Sequence, residues 1–81
     1  MNKKYIPINC DFYDEIELRA LRGSVCMVVF RTEDGKEKTI EGVIKNVFAK
    51  NKEEFMEMKS GELIRLDQLI SIDGKKVPDA C

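Results

Sequence analysis

The sequence contains no histidine, so a metal site would need carboxylates alone and no imidazole is present to activate a nucleophile. Its densest acid cluster is Asp11, Asp14, Glu15 and Glu17, with Cys10 directly before it. General acid–base catalysis needs two carboxylates converging in a cleft, and a calcium loop needs acids at fixed spacing around a glycine. Four acids on one short helix point in different directions and match neither pattern. Cys10 lies where a helix N-terminus lowers a thiol pKa, yet no histidine or basic residue in the stretch completes a nucleophilic pair. The three cysteines, Cys10, Cys26 and Cys81, have no paired spacing, which argues against a disulfide scaffold or a zinc knuckle. Cys26, inside an apolar run, reads as a small core hydrophobe. The expectation is a non-enzymatic protein with no metal and no cofactor, whose acid cluster is explained by helix capping and solvation.

The elements that must position these acids begin with an extended lead-in over residues 1–10, where Pro7 keeps Ile6 out of the helical region. A helix then runs over 11–22. Asn9 or Asp11 can cap it, with Asp14 three residues beyond Asp11 in the manner of a capping box, and the early acids face the positive end of the dipole. Arg19 and Arg22 in the last turn and Gly23 after it close the helix. Phe12, Tyr13, Ile16 and Ala20 fall within about 100° of one another and form the core-facing stripe. Asp14, Glu17, Leu18 and Leu21 form a second stripe, pointing elsewhere, that mixes carboxylates with leucines: either it invites a partner, or the leucines merely widen the core contact while the acids are solvated and satisfy the dipole.

The run Tyr5, Pro7-Ile8-Asn9-Cys10-Asp11, Tyr13-Asp14 and Ile16-Glu17-Leu18 resembles the N-terminal signature of the Rof family, the small Rho-binding antiterminators of bacteria. A weaker echo lies in Leu63-Ile64-Arg65-Leu66-Asp67-Gln68-Leu69. The resemblance implies an Sm-like small barrel. It also implies a partner, the N-terminal RNA-binding domain of the transcription terminator Rho, with RNA kept from Rho's primary site and termination reduced. Carried onto matching positions, the binding face is Asn9, Asp11, Tyr13, Asp14 and Glu17, to which the helical wheel adds Leu18 and Leu21. Tyr5, Pro7, Ile8 and Cys10 then read as a staple holding the lead-in against the barrel.

Composition sets the outer limits. Eighty-one residues make one domain, and 14 basic against 15 acidic side chains leave no global field to drive non-specific nucleic-acid binding. The longest apolar run, Val25 to Phe30, is far too short to span a bilayer, and the N-terminus lacks the apolar core of a signal peptide. A cytoplasmic monomer is the expectation.

After the helix, Ser24 to Thr32 is apolar on both alternating faces and reads as the central strand, covered on one side by the helix and on the other by a sheet. Asp34-Gly35 marks a hairpin turn. The second strand, Glu37 to Phe48, places Ile40, Ile44 and Phe48 on one face and Val43 and Val47 on the other, with a bend at Gly42. A polar turn over 49–53 precedes a third strand, Glu54 to Met58. The fourth strand is Glu62 to Leu66, followed by a one-turn break over Asp67-Gln68-Leu69. A fifth strand, Ile70 to Asp73, ends at Gly74, and residues 75–81 form a flexible tail. The fold class is mainly β (α+β), with the β-elements of 24–73 making a strongly bent five-stranded antiparallel sheet, a small barrel or sandwich.

Sm-like barrels often bind single-stranded RNA, so an RNA-binding module is the alternative function. Lys36, Lys38, Lys45, Lys50 and Lys52 are interleaved with Glu37, Glu41, Glu53 and Glu54, which breaks any basic stripe. Phe30, Phe48 and Phe55 read as core rather than as base-stacking platforms. A protein-binding regulator of Rho, making no direct contact with nucleic acid, is therefore the leading reading.

Overall fold

The computed structural model describes residues 8–78, and its helix ends where the caps of the sequence place it. Helix α1 spans Cys10–Arg22. Asn9, not Asp11, is its cap: the Asn9 side-chain oxygen accepts from the backbone N–H of Asp11 at 2.9 Å and of Phe12 at 3.3 Å. At the other end Gly23 adopts φ 67°, and its N–H donates to the carbonyls of Arg19 and Ala20. Phe12 and Ile16 are fully buried, and Tyr13 and Ala20 pack against the same core. The core-facing stripe is therefore the one the periodicity predicts.

The strands are β1 (Val25–Arg31), β2 (Glu37–Lys50), β3 (Glu53–Met58), β4 (Leu63–Arg65), β5 (Leu69–Ile72) and β6 (Lys75–Lys76), with a 3₁₀ turn at Leu66–Gln68 between β4 and β5. They form one antiparallel sheet in the order β4-β3-β2-β1-β5-β6, whose ladder does not close on itself. Six strands stand where five are expected. The sixth exists because Asp73 (φ 52°) and Gly74 (φ 81°) make a tight turn with two positive φ values. That turn returns Lys75 and Lys76 onto Ile72 and Ser71. Residues 75–77 are consequently ordered rather than tail-like: the Val77 N–H donates to the Ile70 carbonyl at 3.0 Å and its side chain packs on the core. The expectations for Tyr5 to Pro7 and for Cys81 lie outside the described residues.

Strand β1 lies between β2 and β5, but it is not covered on both faces. Cys26, Val28 and Phe30 are buried, whereas Val25 is 63% and Met27 43% exposed, because α1 packs over β2. Strand β2 is the long element shared by both halves of the sheet: residues 37–43 pair with β1 and residues 44–50 with β3. Its irregularity is not at Gly42. The β2–β3 register shifts between Ile44 and Asn46, leaving Lys45 as the extra residue of a bulge. The bulge inverts the alternation, so that Val47 joins Ile40 and Ile44 on the core side. Phe48 turns to the opposite face, where it pairs with Phe55 and stacks on it with ring centroids 5.6 Å apart. Met56 and Met58 are buried, so Phe55, one residue out of phase with them, also faces away from the core. Phe48 and Phe55 are thus an outer-face pair rather than core residues.

The core is completed by Ile8, Ile64, Leu66, Leu69 and Ile72, and among the described residues it contains no buried polar or charged side chain. Every charge on α1 is therefore left at the surface, and none of these acids is needed inside the fold.

A candidate protein-binding face on the helix

Two ion pairs hold α1 against the β5–β6 hairpin. Lys75 Nζ donates to both carboxylate oxygens of Glu15 at 2.9 Å, and Arg19 pairs with Asp73. Asp73 also continues the β1–β5 ladder: its backbone N–H donates to the Met27 carbonyl and its Oδ1 accepts from the Met27 N–H, both at 2.8 Å. One flank of the helix is fixed in this way. The inner face is fixed by Phe12 and Ile16, and the other flank, with Tyr13 and Ala20, rests on the sheet. The acid and leucine stripe is left as the outward crest.

Along that crest Leu18 is 48% and Leu21 84% exposed, and Asp14 and Glu17 are both exposed. Among the described residues the exposed large apolar side chains are Leu18, Leu21, Val25, Met27 and Leu63, and the two leucines on the helix are the ones flanked by exposed carboxylates. A groove lies on each side of the crest. The first, of ≈ 580 Å³, is walled by Asp14, Glu17, Leu18, Ala20 and Leu21 on the helix and by Lys45, Asn46 and Val47 of β2. The second, of ≈ 500 Å³, is lined by Asn9, Asp11, Phe12, Asp14, Glu15 and Leu18 together with Lys75 and Pro78. Asp14 and Leu18 belong to both grooves, which makes them the ridge between two depressions.

Of the residues expected at a binding face, the structure brings Asp14, Glu17, Leu18 and Leu21 to one groove. Asn9 and Asp11 line the other, and Asn9 also positions the helix through its cap. Tyr13 is half-buried on the flank; burial raises its phenol pKa above 10.0, and the charges of Glu17, Glu54 and Asp14 push it further up. Glu54 therefore adds a third carboxylate to the field on this side of the helix.

The sequence gives no warning of four participants. Lys45, Asn46 and Val47 reach the groove because the bulge turns the strand there, at a lysine rather than at the glycine that signals an irregularity in the sequence. Glu54 approaches Tyr13 only through the packing of the helix on the β2–β3 sheet. In the other direction, the acids do not converge: among the described residues no three side chains of histidine, cysteine, aspartate or glutamate type gather as metal ligands would. Among the described residues, too, no helix is long and apolar enough to cross a membrane. No protein-family model matches the chain, and no curated protein matches it.

Proposed function

We propose that this chain is a small protein-binding regulator of the Rof type, which applies the crest of α1 to the N-terminal RNA-binding domain of the transcription terminator Rho. By occupying that domain it keeps RNA from loading and acts as an antiterminator, as a cytoplasmic monomer. The observation that carries the reading is the joint exposure of Asp14, Glu17, Leu18 and Leu21 beside a groove, on a helix held to the fold by its inner face and by its ion pairs to the β5–β6 hairpin. A surface that receives phosphates accepts carboxylates of similar spacing and is steered to them by complementary potential. The leucines then supply apolar contact at the centre of the face. The finer fold assignment, an Sm-like small barrel, is supported by the order of β4, β3, β2, β1 and β5 and by the single 3₁₀ turn joining β4 to β5.

One observation favours the alternative of a single-stranded RNA-binding module: the Phe48–Phe55 stack on the outer face, where a base can reach it. Charge weighs against it. The cation beside that pair, Arg65, is engaged by Asp67 and Glu53. Lys50 sits opposite Glu53 in the ladder.

Charge reversal on the crest tests the proposal. Asp14→Lys and Glu17→Lys should each weaken Rho binding about tenfold or more at low salt, since each turns a partner charge into a like charge at the interface. Arg22→Glu, on the same helix but off the crest, is the control. Parent-like binding by both lysine variants, with loss in Arg22→Glu, would reject the acidic-crest mechanism.

A further inference from the structure

Lys45 is the one cation in the groove that carries the acidic crest, standing on the β2 wall across from Asp14 and Glu17. It is exposed, and the register shift between Ile44 and Asn46 makes it the bulged residue, the position at which a strand re-aims a side chain. The second groove also contains a cation, Lys75, but Glu15 neutralises it through two hydrogen bonds. Lys45 takes part in none of the ion pairs among the described residues, which draw on Arg19, Lys38, Arg65 and Lys75. The two sides of the crest therefore differ. One has its positive charge cancelled, and the other presents a positive charge to whatever docks there.

We infer that Lys45 is a specificity-determining residue of this face: it lowers the attraction of Asp14 and Glu17 for evenly cationic surfaces and so limits how tightly, and how indiscriminately, the crest binds. The inference rests on the reading that the crest is a docking face for a cationic partner surface. A bare acid stripe with two exposed leucines would adhere to many basic surfaces. A cation placed across the groove subtracts from that potential at short range. It makes the partner present its positive groups toward the helix wall and a neutral or hydrogen-bonding group toward β2. Discrimination obtained by placing a repelling charge against wrong partners is a general device of specific interfaces.

The test compares the parent with Lys45→Gln and Lys45→Glu, each checked for an unchanged urea midpoint, against two probes: an octalysine peptide and intact Rho. Octalysine should bind the parent weakly. It should bind Lys45→Glu about three- to tenfold more tightly at low salt, with Lys45→Gln between the two and the difference vanishing near 1 M salt. Rho, as the fitting partner whose positive groups meet the helix wall, should tighten much less than octalysine does. If both variants bind octalysine as the parent does, or more weakly, or if Rho tightens as much as octalysine, the inference is wrong. Tightening toward octalysine with no Rho binding by any variant would uphold the role of Lys45 and overturn Rho as the partner. Loss of Rho binding in Glu17→Lys with no response to either Lys45 variant would do the reverse.

Discussion

Asp73 joins α1 to the edge of the β1–β5 ladder, and substituting it gives the sharpest structural prediction. Its backbone sits at φ 52°, in the left-handed region that aspartate and asparagine tolerate better than alanine. Because the chain turns there, its carboxylate supplies the acceptor for the Met27 N–H, while its other oxygen holds Arg19 of α1. Asp73→Ala loses the acceptor, worth about 1 kcal/mol, and an ion pair worth about 0.2–1 kcal/mol at this exposure. It also places alanine in the left-handed region at a cost of about 1 kcal/mol. A total near 2–3 kcal/mol is a large share of the roughly 4–12 kcal/mol available to a domain of this size. Asp73→Asn keeps the acceptor and the backbone preference, so it should lose only the ion pair. Urea unfolding separates the two: with a slope of about 1 kcal/mol/M, the alanine variant should shift the midpoint down by about 2 M or more and the asparagine variant by less than about 1 M. Amide exchange at Met27 should quicken in the alanine variant alone. Equal, small shifts in both variants would refute the assignment of the carboxylate as a ladder acceptor.

Further predictions concern the turn after β2 and the ion pair at Lys75. Asn51 and Lys52 both have positive φ, and lysine is poorly suited to φ 65°, so Lys52→Gly should raise stability by about 0.5–1 kcal/mol, seen as a higher urea midpoint. A lower midpoint would show that the Lys52 side chain, not its backbone, matters. The hydrogen bonds from Lys75, aided by the charges of Lys75 and Arg19, hold the Glu15 carboxyl below the ordinary 4.5. A depressed folded value stabilises above the unfolded pKa and is lost as the pH falls through the folded one, so this contribution fades on the acid side of 4.5. Lys75→Gln should return the Glu15 midpoint, followed by NMR of its side-chain carboxyl, toward the ordinary value; an unchanged midpoint would exclude Lys75 as the cause.

What the sequence makes legible is the local chemistry. Gly23 can be recognised as the cap that ends α1, and the spacing of Phe12, Ile16, Leu18 and Leu21 separates a buried face from an exposed one before any coordinates are known. The Asp34-Gly35 turn is legible for the same reason: its Gly35 has φ 86°. Asp73-Gly74 is the same dipeptide and makes a hairpin too, but the two lysines that follow carry no apolar alternation to mark a strand. Long-range facts are hidden. The bulge at Lys45 depends on how β3 must pair with β2, and one inserted residue exchanges the faces of Val47 and Phe48. The groove beside the crest, and the pairing of Glu15 with Lys75, join segments far apart in the chain, so no local pattern contains them.

The measurement that bears most directly on the proposed function is competition for RNA on Rho. Labelled single-stranded RNA bound to Rho is followed by fluorescence anisotropy while this protein is added, with RNA-stimulated ATP hydrolysis read in parallel. The account predicts that RNA is released and ATP hydrolysis falls together as the protein saturates Rho, and that Glu17→Lys releases RNA only at much higher concentration. Rho that keeps its RNA and its ATPase activity at saturating protein, or that does not bind the protein at all, would contradict it.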